Sequence, residues 1–108
     1  MARYTFSRLS RLPFHQEGLR RYTVLNSPGM PEGPEVGHAV LNPGADVVVA
    51  GDAESTLVFT VAGRGAILVD GNRIEVAAED LVYIQPGCAY ALKTVGTSDW
   101  VYVAVRGA

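Results

Sequence analysis

The chain has 108 residues, a length that suits one domain with a single core. Apolar residues make up 48% of it, enough to build that core, yet no apolar run approaches the ~20 residues that span a bilayer. A net charge of −2 gives no general attraction to nucleic acid, and the single cysteine, Cys88, has no partner for an internal disulfide.

The N-terminus is polar and shows no apolar signal stretch, so with the unpaired thiol a reducing cytoplasm is the expected compartment. Residues 1–34 read as an arm distinct from the rest of the chain. Five of the nine basic residues (Arg3, Arg8, Arg11, Arg20, Arg21) fall in the first 21 positions, against one acid, Glu17. The charge there reads as a solvated arm or a subunit contact in preference to a nucleic-acid arm. Phe6, Leu9 and Leu12 form a short apolar face, and Pro13 stops any long helix. Tyr22–Leu25 reads as a short strand. The segment Ser27–Pro34, dense in proline and glycine, reads as a lid or a plain crossover.

From Glu35 to Ala108 the pattern is all β. Short apolar or alternating runs recur at Val36–Leu41, Asp46–Ala50, Thr56–Ala62, Ala66–Val69, Arg73–Val76, Leu81–Ile84, Tyr90–Thr94 and Trp100–Val105. Turn signals separate them. Asp70-Gly71, between two such runs, predicts a tight hairpin because both turn positions need positive φ. About eight strands at this spacing predict a sandwich, jelly roll or barrel.

Gly44–Thr94 resembles the two motifs of the cupin superfamily. The first family motif runs glycine, five residues, histidine, one residue, histidine, three or four residues, glutamate, six residues, glycine; Gly44 and Gly63 match its glycines with the three-residue spacer. The inner glycine of the second motif matches Gly87, and fifteen residues separate Gly63 from Glu79, like the short spacer of compact members. The resemblance implies a single-domain cupin, a double-stranded β-helix or jelly-roll barrel carrying an N-terminal arm. It also implies a homodimer, as small members pair, often by exchanging N-terminal strands.

At the positions where the family holds its metal, this chain departs from the pattern. The two histidines of the first motif become Ala50 and Asp52, its glutamate becomes Thr56, and the histidine of the second becomes Tyr90. The second motif's glycine, proline and asparagine become Glu79, Gln85 and Thr94. A transition metal wants several imidazole and carboxylate ligands converging on one point, and the chain has only His15 and His38, so no metal and no other cofactor is expected.

If the family's ligand positions face inward, as the resemblance implies, strand alternation places Val48, Ala50, Asp52, Thr56, Val58, Thr60, Tyr90, Leu92 and Thr94 on the inner surface. Such a lining suits a small organic ligand. Trp100 and Tyr102, alternating on the last strand, would cover it or pack a core. Tyr90, Asp52 and His38 are the candidate acid–base groups. Tyr90 also reads as a core aromatic, Asp52 as a turn residue and His38 as a structural histidine. Cys88 reads as buried filler. Three functions compete: a metal-free barrel that binds a largely apolar ligand and catalyses a cyclisation or isomerisation, a non-catalytic sensing or assembly module, and a metal-dependent dioxygenase or isomerase with atypical ligands.

Overall fold

The structure is a computed structural model that describes residues 6–26, 33–49, 51 and 54–107. Ten strands follow one short turn of 3-10 helix, Leu9–Arg11: β1 His15–Glu17, β2 Arg20–Val24, β3 Glu35–Leu41, β4 Asp46–Val49, β5 Thr56–Ala62, β6 Gly65–Val69, β7 Asn72–Val76, β8 Leu81–Ile84, β9 Tyr90–Thr94 and β10 Trp100–Arg106. They form a six-stranded sheet in the order β1-β2-β3-β10-β5-β8 and a four-stranded sheet in the order β4-β9-β6-β7. Every pairing is antiparallel, the jelly-roll arrangement expected from the strand spacing. Among the described residues no helix is long and apolar enough to cross a membrane.

Period-two burial puts the core between the sheets. On β10, Trp100, Tyr102 and Ala104 are buried, while Val101, Val103 and Val105 are half-buried on the opposite face. Thr56, Val58 and Thr60 of β5, and Gly37, Ala39 and Leu41 of β3, share the inner side. Trp100 is fully buried, its ring centroid 4.8 Å from that of Tyr102, and its indole Nε1 donates to Thr60 Oγ1 at 3.1 Å. Thr94 Oγ1 donates to the Leu41 carbonyl at 3.0 Å and ties the two sheets together. Gly65 makes room for the indole, since a Cβ there would lie 2.2 Å from the ring.

The Asp70-Gly71 turn joins β6 to β7 with Val69 opposite Asn72, and both turn residues have positive φ (51° and 77°). The motif glycines Gly44, Gly63 and Gly87 all sit at positive φ, between 76° and 86°. The arm is part of the sheet: β2 pairs with β3 along its whole length. The Ser27–Pro34 segment lies outside the described residues except for Gly33 and Pro34. Its two ends are pinned together by Asn26, which donates to the Pro34 carbonyl at 3.0 Å and accepts from the Val36 amide at 2.7 Å.

Glu79 stands where the family motif has a glycine, and it keeps the glycine's backbone, with φ +74°. A left-handed residue with a Cβ costs about 1–2 kcal/mol, partly offset because glycine has more chain entropy to lose. The turn is held by the Glu79 amide donating to the Thr60 carbonyl at 2.9 Å and the Ala77 amide donating to Asp80 Oδ2 at 2.8 Å. Glu79→Gly is therefore expected to raise the free energy of unfolding by about 0.5–1 kcal/mol. Urea denaturation with an unchanged slope checks it.

Candidate functional site

A cavity of about 460 Å³ opens between the sheets, in the range of small-ligand sites. Val47 and Val49 of β4, Val58 of β5, Leu92 of β9 and Ala104 of β10 supply its hydrocarbon. Tyr22, Tyr90 and Tyr102 supply phenols, Thr56 a hydroxyl, and Arg20, Glu35, Arg106 and His15 the ionisable groups. A broader groove of about 600 Å³ adjoins it, running from the β1–β2 turn to β4 and sharing Arg20, Val47 and Val49. The site is assigned to the interior cavity because polar side chains from both sheets converge there.

Of the residues expected from the sequence, Thr56, Val58, Tyr90, Leu92 and Tyr102 line this cavity. Tyr90 is buried, and its hydroxyl lies 3.4 Å from Thr56 Oγ1, a long donor contact across the barrel. Trp100 does not line it; the indole is committed to the core beside Thr60. Thr60 and Thr94 likewise serve the core.

Val48 corrects the expected phase of β4, because it is 77% exposed. Val49 pairs with Tyr90 and Val47 with Leu92, and directly opposed residues share a face, so the odd-numbered valines point inward. The four-residue spacer that the family motif also allows fits this register. It puts Val49 and Gly51 at the histidine positions and leaves four residues after Gly44. Ala50 and Asp52 lie outside the described residues.

His38 is also corrected. It shares a face with Val36 and Val40 as expected, but that face is the outer one, and His38 is absent from the cavity wall. Burial, then the nearby charge of Arg21, holds its imidazole below the usual range.

With β4 in this register, the described residues at the family's ligand positions are a valine, a glycine, a threonine and a tyrosine. Hydrocarbon, hydroxyl and phenol do not make a transition-metal donor set. Among the described residues no group of three His, Cys, Asp or Glu is placed to hold a metal ion. The cavity wall does not fit the family's metal.

Sequence reasoning missed Arg20, Tyr22, Glu35 and Arg106. Alternation in β2 was legible, but nothing local says that β2 docks against β3. Tyr22 Oη donates to Glu35 Oε2 at 3.0 Å, and Glu35 pairs with Arg106 at 3.7 Å. Arg20 Cζ stands 4.7 Å from the Tyr22 ring centroid, and its guanidinium reaches the Tyr102 phenol. Tyr22 is pushed up to about 12 by burial, then by the Glu35 carboxylate it bonds, with Arg20 opposing. Tyr102 is pushed up to about 12 by burial, again with Arg20 opposing.

Both shifts make a prediction. The folded state holds these two protons more tightly than the unfolded chain, whose phenols titrate near 10.0. The stability they contribute is fully present below that value and is lost as pH rises through about 12. Unfolding free energy should fall across that window, with late tyrosinate absorbance from two of the five tyrosines. Tyr102→Phe should flatten part of the fall, measured by urea denaturation at each pH.

No protein-family model matches the sequence, and no curated protein matches it. Solved structures do. A Cupin 2 conserved barrel domain protein from Salinispora arenicola superposes with a TM-score of 0.86 at 22% identity, covering 99% of this chain and 91% of the other. A predicted oxalate decarboxylase from Thermotoga maritima gives 0.84 at 17% identity, covering 94% and 97%. The cupin domain of an XRE-family transcriptional regulator from Enterobacter cloacae gives 0.75 at 12% identity, covering 83% and 97%. Alternating burial, positive-φ glycines at the motif corners and these superpositions agree: this chain has the cupin fold.

Proposed function

We propose that this barrel binds a small, largely apolar organic molecule between its sheets, without a metal ion. The observation that supports the reading is the wall itself, where Tyr22, Tyr90 and Tyr102 accompany a hydrocarbon surface and Tyr90 and Thr56 stand at two of the family's ligand positions. Tyr22 and Tyr102 keep their protons at neutral pH, so they present fixed donors. Donors of that kind orient a carbonyl or hydroxyl on a ligand. They also stabilise the oxyanion that develops when a carbonyl is polarised in a cyclisation or isomerisation. The free, half-buried thiol of Cys88 accords with a cytoplasmic protein.

Ligand binding is tested with trans-cinnamyl alcohol, a neutral aromatic probe. It should shift the methyl NMR signals of Val58 and Leu92. Ala104→Leu, which fills the cavity from its wall, should weaken binding by about tenfold or more while the protein stays folded. Silence of those methyls in the wild type sinks the reading. So does a stoichiometric transition metal in elemental analysis of the purified protein.

A sensing or assembly module is the second reading, favoured by the outer face of the six-stranded sheet. Val36 and Val40 of β3, Val101, Val103 and Val105 of β10, Leu57 and Phe59 of β5, and Leu81 of β8 all lie on it, none buried. Within these four strands no formal charge interrupts the field, Arg21 of β2 borders it opposite Val40, and His38 within it is biased toward neutral. Four strands of up to seven residues make a patch of about 19 by 23 Å. That is roughly 440 Å², the size of the largest apolar patch on a typical monomer, which is often functional, and about half of the ~800 Å² per partner of a standard interface. We propose that a second copy covers it by two-fold packing, since a single apolar field is its own complement. The wild type should sediment as a dimer, and Phe59→Glu, in the middle of the patch, should sediment as a folded monomer.

A further inference from the structure

Among the described residues Arg20 is a wall cation that makes no ion pair, although Glu17 stands opposite it on β1. No carboxylate lies within ion-pair distance of it among the described residues, whereas Glu35 is already engaged by Arg106 and by the Tyr22 hydroxyl. Its Nε is buried and lacks a hydrogen-bond partner. The guanidinium is held in place by stacking on the Tyr22 ring and by its contact with the Tyr102 phenol. It stands where the interior cavity and the adjoining groove meet, flanked by Val47 and Val49. A half-buried guanidinium whose Nε is shut off from water and unpartnered has unmet donor capacity, and its planar fork matches a carboxylate better than any neutral group.

We infer that Arg20 is an anion receptor, and that the ligand of this cavity is an organic acid. Its carboxylate pairs with the Arg20 fork and accepts from the Tyr102 phenol, and its apolar body lies against Val47, Val49, Val58 and Leu92. The inference rests on the cavity's being a binding site and adds the class of ligand. It also gives the basic arm a function inside the barrel: β2 delivers the cation to the wall.

The test compares trans-cinnamate with the neutral trans-cinnamyl alcohol by calorimetry and NMR on the full chain. The wild type should bind cinnamate about tenfold or more tightly than the alcohol, with an advantage that shrinks as salt rises. The Arg20 Nε–H resonance should move with cinnamate and stay with the alcohol, a readout that needs no variant. In Arg20→Met the ratio of the two affinities should fall to about one. Arg20→Lys, which keeps the charge without the fork, should retain part of the advantage. A ratio near one in the wild type, or an undiminished ratio in Arg20→Met, overturns the inference while alcohol binding upholds the cavity. Failure of both probes to bind overturns the cavity reading and this inference together.

Discussion

The cavity depends on the backbone pairing of β2 with β3. Five residue pairs, from Arg20 opposite Leu41 to Val24 opposite Gly37, extend the large sheet by one strand. That strand brings Arg20, Tyr22 and Val24 to the wall. Without it, β3 would present an unpaired edge, and both cationic and phenolic groups on that side would be lost. Gly37 is what lets the pairing close. A Cβ there would stand 2.0 Å from the Tyr22 hydroxyl, so the phenol lies over a residue with no side chain. From that position it reaches Glu35, and Glu35 reaches Arg106 at the end of β10. One ring thus couples β2, β3 and β10, and the arm is structural and part of the site at once.

Replacing imidazoles with phenols and hydrocarbon changes what such an interior can do. A buried imidazole offers a lone pair to a cation. A buried phenol held well above its usual range offers a proton, and the burial that raises Tyr22 and Tyr102 also strengthens the hydrogen bonds they make. Arg20 opposes both shifts, because a nearby cation favours phenolate; the phenols remain protonated because burial is the larger effect. With Glu35 and Arg106 paired to each other, the described wall offers neutral donors and the guanidinium of Arg20, which makes no ion pair. Such a wall is what the proposed reading, an acceptor-rich ligand with an apolar body, calls for.

How much of this could be read from the chain varied with the kind of signal. Asp70-Gly71, the motif glycines and the two-residue alternation of β5 and β10 are local, and each dictates its own backbone. Val48 shows where local signals end. Asp46–Val49 carries three valines in a row, so alternation cannot say which of them face inward, and the motif spacer admits two phases. Only pairing with Tyr90 and Leu92 decides. His38 failed for the related reason that β3 is apolar on both faces; sharing a face with two valines does not tell inner from outer. Arg20 was unreadable because its importance comes from a partner strand and from a cavity that no sequence neighbour encloses.

That double apolarity bears on assembly. On β10 every second residue belongs to the cavity or core and the others are all valine, facing the opposite way. β5 repeats the arrangement with Leu57 and Phe59 outward, and β8 with Leu81 and Tyr83. An antiparallel sheet whose outer side met water would alternate apolar with polar. Here the sheet has the composition of an inner layer, while one chain supplies a layer on only one of its sides. The four-stranded sheet covers the face that holds the cavity. The other face could be covered by the same face of another copy, packed across a two-fold axis as aligned sheets pack, which is the arrangement proposed above. In that arrangement the β10 strands that wall the two cavities would lie back to back, with Tyr102 and Ala104 on the inner face of the same strand whose valines meet the partner.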